Sequence, residues 1–270
     1  MNTPETEACR YISELVHARS GIKLNKDKET LIKARLGKRI RLHGFATLPE
    51  YCRFLRVRAG EEELTQVVDA LTTNFTNFLR EADHFQFLAA EGLPQLLARG
   101  ERTIRIWSAA CSSGEEAYSM GFYLSEFFPR ASGWLWQLTA SDISTSALDK
   151  ARLGVYSDAR VTGLRADWLR KYFQRGTGHW TGHYRIKRSV ADHIQFRKLN
   201  LMEEYAHPHP FHAILCRNVM IYFDRPTQER VVTRLCRALV QGGYLIVGHS
   251  ESLNGLNVPV RCLRPSIYQK

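Results

Sequence analysis

No apolar run in this chain of 270 residues approaches the length that crosses a bilayer, and Met1 to Arg10 lacks the order of basic, apolar and small residues that marks a secretory leader. The expectation is a cytoplasmic protein with no membrane insertion. Cysteine is sparse: Cys9, Cys52, Cys111, Cys216, Cys236 and Cys262 include no close pair, which argues against a disulfide or zinc framework and fits reduced thiols. Acids fall short of bases, 27 against 38, for a net charge of +11. That surplus admits nucleic acid, an anionic membrane surface or an acidic protein as partner, without choosing among them. There is no internal repeat, no low-complexity linker and no Gly-x-Gly-x-x-Gly fingerprint. A nicotinamide-dependent oxidoreductase is therefore the weakest class.

What is present centres on IRIWSAACSSGEEAYSM, residues 104 to 120. Ile104, Ile106 and Trp107 read as a strand buried in a parallel sheet, Ser108 to Gly114 as a tight loop of small residues, and Glu115 onward as a helix. This strand–loop–helix unit opens nucleotide-binding α/β folds, whose ligands sit outside the carboxyl ends of the strands. A helix N-terminus attracts anions, so two acids there point away from a pyrophosphate and toward a ligand with positive charge. A capping box between Ser112 or Ser113 and the glutamates accounts for the same residues equally well.

Residues 10 to 73 read as helices with no strand alternation, and the second of them carries Lys28, Lys33, Arg35, Lys38, Arg39 and Arg41 around an apolar stripe of Leu31, Ile32, Leu36 and Ile40. Such a charge run is commonly a solvated face, yet its lopsidedness keeps it as a candidate docking surface. Further helices are expected at 50–58 and 62–71, with a small helical domain over residues 1–80. Helices over 82–99 are expected to break near Gly92 and Pro94. In the remaining 81–270, Trp134 to Thr139 is a second strand ending at Ser141, Asp142 and Ile143. An acid at that tip suits a ribose diol, or caps the next helix as Asp142 or Ser144. Residues 174–198 look like a small antiparallel insertion, with short alternating runs at 184–187 and 193–197. His207, His209 and His212 suggest a metal at first glance, but no acid or cysteine completes a set, so a surface turn is the better reading and no metal is expected. Phe211 to Cys216 is a buried strand that delivers Arg217 and Asn218 to the ligand end, where polar groups are costly to leave unpaired. A helix over 226–239, a strand over 244–247 and a last strand near 266–268 complete the pattern.

Five motifs in order, Thr72–Glu81 (TTNFTNFLRE), Trp107–Ser119 (WSAACSSGEEAYS), Ser141–Ile143 (SDI), Cys216–Asp224 (CRNVMIYFD) and Gly248–Glu251 (GHSE), make the chain resemble the CheR family of chemoreceptor methyltransferases over nearly its whole length. The resemblance implies an α/β fold with a Rossmann-like methyltransferase sheet, an all-helical N-terminal domain and a small antiparallel β-subdomain. It implies methyl transfer from S-adenosylmethionine to glutamate side chains of chemoreceptors, leaving S-adenosylhomocysteine. By position it puts Asn74, Thr76, Arg80, Glu116, Asp142, Asn200, Leu201, Arg217 and Asn218 at the cofactor, with Glu115 as the fallback for Glu116, and Arg80 and Tyr222 beside the reacting centre. It also implies acidic methylation helices as the partner, a receptor C-terminal peptide as a further partner of the β-subdomain, and a monomer. Leu79, Ala117 and His212 depart from the family's usual Phe, Pro and Asp; no matched polar position is lost. A nucleic-acid methyltransferase would use Pro-Pro or Pro-Cys motifs that the chain lacks, so no nucleic-acid partner is expected, and a non-catalytic receptor-binding module is opposed by the intact polar set.

Overall fold

The computed structural model describes residues 3–24, 29–72, 74–100, 102–128 and 135–270. By contacts the chain divides into a helical unit, residues 1–73 with 222–227, and an α/β unit, 74–221 with 228–270. The expected boundary near residue 80 lies later, because TTNFTNFLRE from Asn74 onward packs within the α/β unit.

The helical unit holds α1 (Pro4–Ser20), α2 (Glu29–Leu42), α3 (Leu48–Val57) and α4 (Glu61–Leu71). Local chemistry fixes their ends. Thr3 accepts the Thr6 amide before Pro4, Gly21 closes α1 at φ 72°, and Thr47 with Glu50 forms a capping box. Ile12, Val16, Ile32, Leu36, Tyr51, Leu55 and Val67 make its core. Within it the Glu63 carboxylate accepts from Tyr51 Oη and from Arg39 Nε (3.1 Å), and His43 Nε2 lies 3.0 Å away. Burial pushes the Glu63 carboxyl up, but these partners outweigh it and hold the group below its usual range.

The basic surplus of α2 is largely used inside this unit. Arg39 holds Glu63, Lys33 lies 3.3 Å from Glu5, and Arg35 donates to the carbonyls of Leu71 (3.2 Å) and Thr72 (2.6 Å). Lys38 and Arg41 remain exposed, and Lys28 falls outside the described residues. Residues 222–227 complete the unit: the Lys23 amide donates to the Tyr222 carbonyl (2.8 Å), and His17 Nε2 lies 3.7 Å from Asp224.

The α/β unit begins with α5 (Asp83–Phe87), a π-helical turn over Leu88–Gly92, and α6 (Leu93–Leu97), so the expected break at Gly92 and Pro94 is a change of helical pitch. Then follow β1 (Thr103–Ser108), α7 (Glu115–Phe127), β2 (Leu135–Asp142), α8 (Thr145–Leu153), β3 (Val155–Ser157), α9 (Asp158–Val161), α10 (Ala166–Tyr172), β4 (Phe173–Arg175), β5 (His183–Ile186), α11 (Arg188–Ala191), β6 (Ile194–Lys198), β7 (Phe211–Leu215), α12 (Arg225–Ala238), β8 (Leu239–Ile246), β9 (Arg261–Arg264) and β10 (Ile267–Gln269). The main sheet runs β6-β2-β1-β7-β8-β10-β9, parallel from β6 to β8, with β10 antiparallel to both β8 and β9. The strand order reverses beside β1, between β2 and β7, which is where ligands bind in open parallel sheets.

A second sheet of order β3-β5-β4 is antiparallel. It corrects the expected insertion at 174–198. The sheet starts earlier, at Val155, and the alternating run 193–197 becomes β6, the edge strand of the main sheet paired in parallel with β2. Alternation identifies a strand but carries no information about its partner. Trp134, expected at the head of β2, falls outside the described residues.

Candidate active site

The site is built where β1, β2 and β7 end. Past β1, the Cys111 amide donates to the Ser141 carbonyl (2.9 Å), and Ser112 sits at φ 48° with its amide donating to Asp142 Oδ2 (2.7 Å). Gly114 then starts α7 at φ 97°; a Cβ there would meet Ala151 Cβ at 2.9 Å, so only glycine fits. No side chain caps this helix. The two glutamates, both buried, separate by partner: Glu115 takes Ser113 Oγ (2.7 Å) and Arg160, while Glu116 accepts Ser108 Oγ (2.6 Å) and Arg217 Nη1 (3.0 Å). Glu116 is thus the acid that meets the residues at the end of β7. Burial pushes its carboxyl up against the pull of Arg217.

Asp142, at the tip of β2, is buried and accepts two backbone amides, Ser112 at 2.7 Å and Ser144 at 2.9 Å. The helix cap is Ser144, which accepts the Ala147 amide (3.1 Å). Asn74 closes the same corner: its carbonyl accepts Ser112 Oγ (3.0 Å) and its Nδ2 donates to Ser144 Oγ (3.1 Å), with Thr76 buried nearby in sequence. The segment after β6 is tied to Asp142 through the Leu199 amide on the Asp142 carbonyl (3.0 Å). There Leu201 is buried, while Asn200 accepts the Met202 amide (3.0 Å) and reaches Glu203 (3.3 Å), shaping the turn.

At the end of β7 the Arg217 side chain is 1% exposed and stands between Glu116 (3.0 Å) and Glu81 (3.0 Å), donating also to the Arg80 carbonyl, with its guanidinium over the Phe85 ring. Its Nε has no partner. Asn218, at φ 57°, donates from Nδ2 to Glu81 (3.1 Å) and from its amide to Glu251 Oε2 (2.8 Å). Glu251 also collects the amides of Gly248 (2.5 Å) and Ile221 (3.2 Å), so one buried carboxylate organises the whole turn after β7. Arg80 is a third exposed, donates to the Phe75 carbonyl (3.2 Å) and flanks the ring of that exposed phenylalanine. Tyr222 belongs by contacts to the helical unit.

Of the nine residues that the resemblance puts at the cofactor, Asn74, Glu116, Asp142, Arg217 and Asn218 make hydrogen bonds around the ends of β1, β2 and β7, Arg80 joins them through its carbonyl on Arg217, Asn200 and Leu201 lie in the turn after β6, and Thr76 is buried in the segment between Asn74 and Arg80. Missing from that set are Glu81 and Glu251, which fix Arg217 and Asn218. Both stood inside recognised motifs, RE and GHSE, but nothing in their spacing says which way a carboxylate faces. Among the described residues, non-glycine positive φ occurs at Leu79, Glu81, Ser112, Asn218 and Ser266, and all but the last lie here. Strained backbone gathered at one place is held by what surrounds it and marks a working site. His207 departs from the expected surface turn, since its ring packs on Trp107 (4.7 Å) and Phe211 (4.6 Å).

Residues 7–72 match the all-alpha domain of CheR methyltransferases, and residues 74–268 match their S-adenosylmethionine-binding domain. The chemotaxis protein methyltransferases of Salmonella typhimurium and Escherichia coli are each 40% identical over 92% of this chain, covering 84% and 85% of their own lengths. Chemotaxis protein methyltransferase 2 of Pseudomonas aeruginosa is 38% identical over 97% of this chain and 92% of its own. The two domains matched in this order, on a sheet whose polar residues meet at the strand ends, place the chain in the CheR family of S-adenosylmethionine-dependent chemotaxis methyltransferases.

Proposed function

We propose that this enzyme methylates the side-chain carboxylates of specific glutamates on chemoreceptors, and that the residues gathered at the ends of β1, β2 and β7 hold S-adenosylmethionine. The observation that carries the reading is Arg217, buried between Glu116 and Glu81 with an unpaired Nε after β7, with Asp142 at the tip of β2 on the other side of β1. These donors fit the group. Arg217 has a donor to spare for an amino-acid carboxylate, the acids suit ammonium and sulfonium charge, and Asp142 offers a carboxylate of the kind that accepts a ribose hydroxyl. Asn74, Thr76, Asn200, Leu201 and Asn218 line the remainder.

When bound, the cofactor supplies a methyl carbon activated by a sulfonium. The substrate glutamate is already ionised near neutral pH, so no general base is needed. Its carboxylate oxygen bonds the methyl carbon as the carbon–sulfur bond breaks, leaving a methyl ester and S-adenosylhomocysteine. An anion and a cation become two neutral groups, and a site that excludes water favours such a step. Arg80 orients the incoming carboxylate, and Tyr222 fixes the approach by hydrogen bonding. Arg80→Ala is expected to lower turnover about 100-fold with cofactor affinity changed far less, as for a lost orienting group. Near-normal turnover would remove Arg80 from this role. For Tyr222→Phe a fall of about tenfold is expected from loss of one neutral hydrogen bond, and an unchanged rate makes the ring a packing element.

The decisive assay is transfer of labelled methyl from S-adenosylmethionine to a receptor fragment, followed by base treatment. Methanol release identifies a carboxyl ester; label that resists base places the methyl on nitrogen or sulfur and overturns the reading. Acidic receptor helices are the partner that the surplus of +11 suits, so the rate is expected to fall as salt rises from low to physiological ionic strength. A salt-independent rate would take electrostatics out of docking. The β3-β5-β4 sheet, with Trp180 exposed on its connecting turn, is the proposed seat of a receptor C-terminal peptide.

A further inference from the structure

Glu81, which fixes Arg217 and Asn218, also faces two histidines that the roles above leave unused: the side chains of Glu81, His84 and His249 bring their ligand atoms within 4.8 Å of one another. We propose that these three residues form a site for a divalent transition metal of the zinc class, and that its occupancy draws Glu81 away from Arg217 and Asn218.

His84 is the reason to look for a ligand. It is fully buried and neither ring nitrogen has a hydrogen-bond partner. The nearest group is Glu81 Oε2, 3.5 Å from Nδ1. His212, equally buried, is at least half satisfied, since its Nδ1 accepts the Arg105 amide (3.0 Å). Burial, with Arg217 adding to it, depresses His84 to about 4, so the ring is neutral at physiological pH and its lone pair is available to a metal.

The surroundings supply the remaining requirements. His249 stands edge-on to His84 with ring centroids 4.7 Å apart, and its Nε2 is 3.0 Å from Asp83 Oδ2. An outer carboxylate on one imidazole nitrogen fixes the tautomer and leaves the other to coordinate, as in carboxylate–histidine–zinc arrangements. Three carboxylates, Glu81, Glu116 and Asp83, stand around two guanidiniums, Arg217 and Arg80 (4.0 Å from Glu81), so the cluster has negative charge to offset. Bonds near 2.1 Å require ligand atoms roughly 3.4 Å apart, a closure of up to about 1.4 Å that the half-exposed His249 ring can make by rotation. Two imidazoles and a carboxylate suit zinc, cobalt or nickel and leave a position for water. Histidine spacing in the sequence draws the eye to His207, His209 and His212, whereas this set is scattered over residues 81 to 249 and shows no spacing signal.

The test uses the full-length protein without cofactor, titrated with Co2+ by visible absorption and with Zn2+ by calorimetry. Wild type is expected to bind one ion per chain with the absorption of a low-coordinate cobalt site. His249→Ala keeps the backbone amide that donates to Glu81 (3.2 Å) and is expected to weaken binding at least tenfold, with its unfolding temperature unchanged. Asp83→Asn, which alters only the outer carboxylate, is expected to weaken it 10- to 100-fold. No binding by wild type, or equal binding by wild type and His249→Ala, overturns the site. The second half of the proposal rests on the cofactor reading and is read separately: saturating Zn2+ should lower the affinity for S-adenosylhomocysteine in wild type and not in His249→Ala. Unchanged affinity in wild type that binds Zn2+ overturns the withdrawal of Glu81.

Discussion

Asp142→Ala is expected to weaken binding of S-adenosylmethionine and S-adenosylhomocysteine at least about 100-fold, a loss near 2.7 kcal/mol. Two contributions combine. The carboxylate is the proposed acceptor for the ribose hydroxyls, and hydrogen bonds to a charged group contribute about 1.5–3 kcal/mol each when buried. It is also the anchor of two backbone amides, Ser112 and Ser144, so alanine releases both the strained loop after β1 and the start of α8. Asp142→Asn separates the two. It keeps the shape and one acceptor oxygen, but turns an amide NH2 toward one of those backbone donors. Calorimetric titration of the three proteins decides the matter. Wild-type affinity in Asp142→Ala would mean that the cofactor does not reach the tip of β2.

Arg217→Met is expected to be the most damaging single change to the fold. Among the described residues the arginine is the one cation shared by Glu116 and Glu81, and removing one partner of a buried pair costs about 3–5 kcal/mol because the remaining charge is left without compensation. At about 2–4 °C per kcal/mol for a chain of this size, the unfolding temperature should drop on the order of 10 °C. Adding Glu116→Gln and Glu81→Gln to Arg217→Met should restore part of that loss, since the buried charges go with their counter-ion. The pH dependence has a definite sign. In wild type Glu81 is buried, which raises its carboxyl, but Asn218 and Arg217 outweigh this and hold it below its usual range. Its contribution is therefore present above the unfolded-state carboxylate range and is lost as pH falls. In Arg217→Met both carboxyls shift upward, so that variant gains on wild type as the solution is acidified. A deficit that grows in acid would contradict this account of the cluster.

Much of this was legible in the sequence for reasons that can be traced to particular residues. Ser144, one of two cap candidates before α8, and the apolar spacing on α2 mark helix positions directly. Short apolar runs mark β1 and β7 because both faces of those strands are covered. Asp142, Arg217 and Asn218 stood out because they follow buried apolar runs, where a strand ends and polar groups converge; the rest of the polar set came from the family resemblance. What was not legible depends on pairing across long separations. Residues 193–197 alternate like a hairpin strand, yet they pair in parallel with β2, a choice made by the space beside Leu138 to Asp142 and not by their own pattern. Glu115 and Glu116 are identical in type and adjacent, and only Arg160 on one side and Arg217 on the other distinguish them. The charge on α2 misled in a similar way. A lysine or arginine in a helix reads as surface, but Arg35 and Arg39 are spent on carbonyls and on a buried glutamate contributed by α4.

The return of residues 222–227 to the helical unit has a consequence for anyone dissecting or recombining the enzyme. The matched domains suggest a single cut near residue 73, but the folded units exchange the chain at three junctions, after 73, before 222 and after 227. A fragment trimmed at 74 would carry Tyr222 and Asp224 without Lys23 and His17, the residues that seat them. A chimera taking its helices from another receptor system would have to import 222–227 as well, or its methyl-transfer chemistry would be set by a mismatched graft.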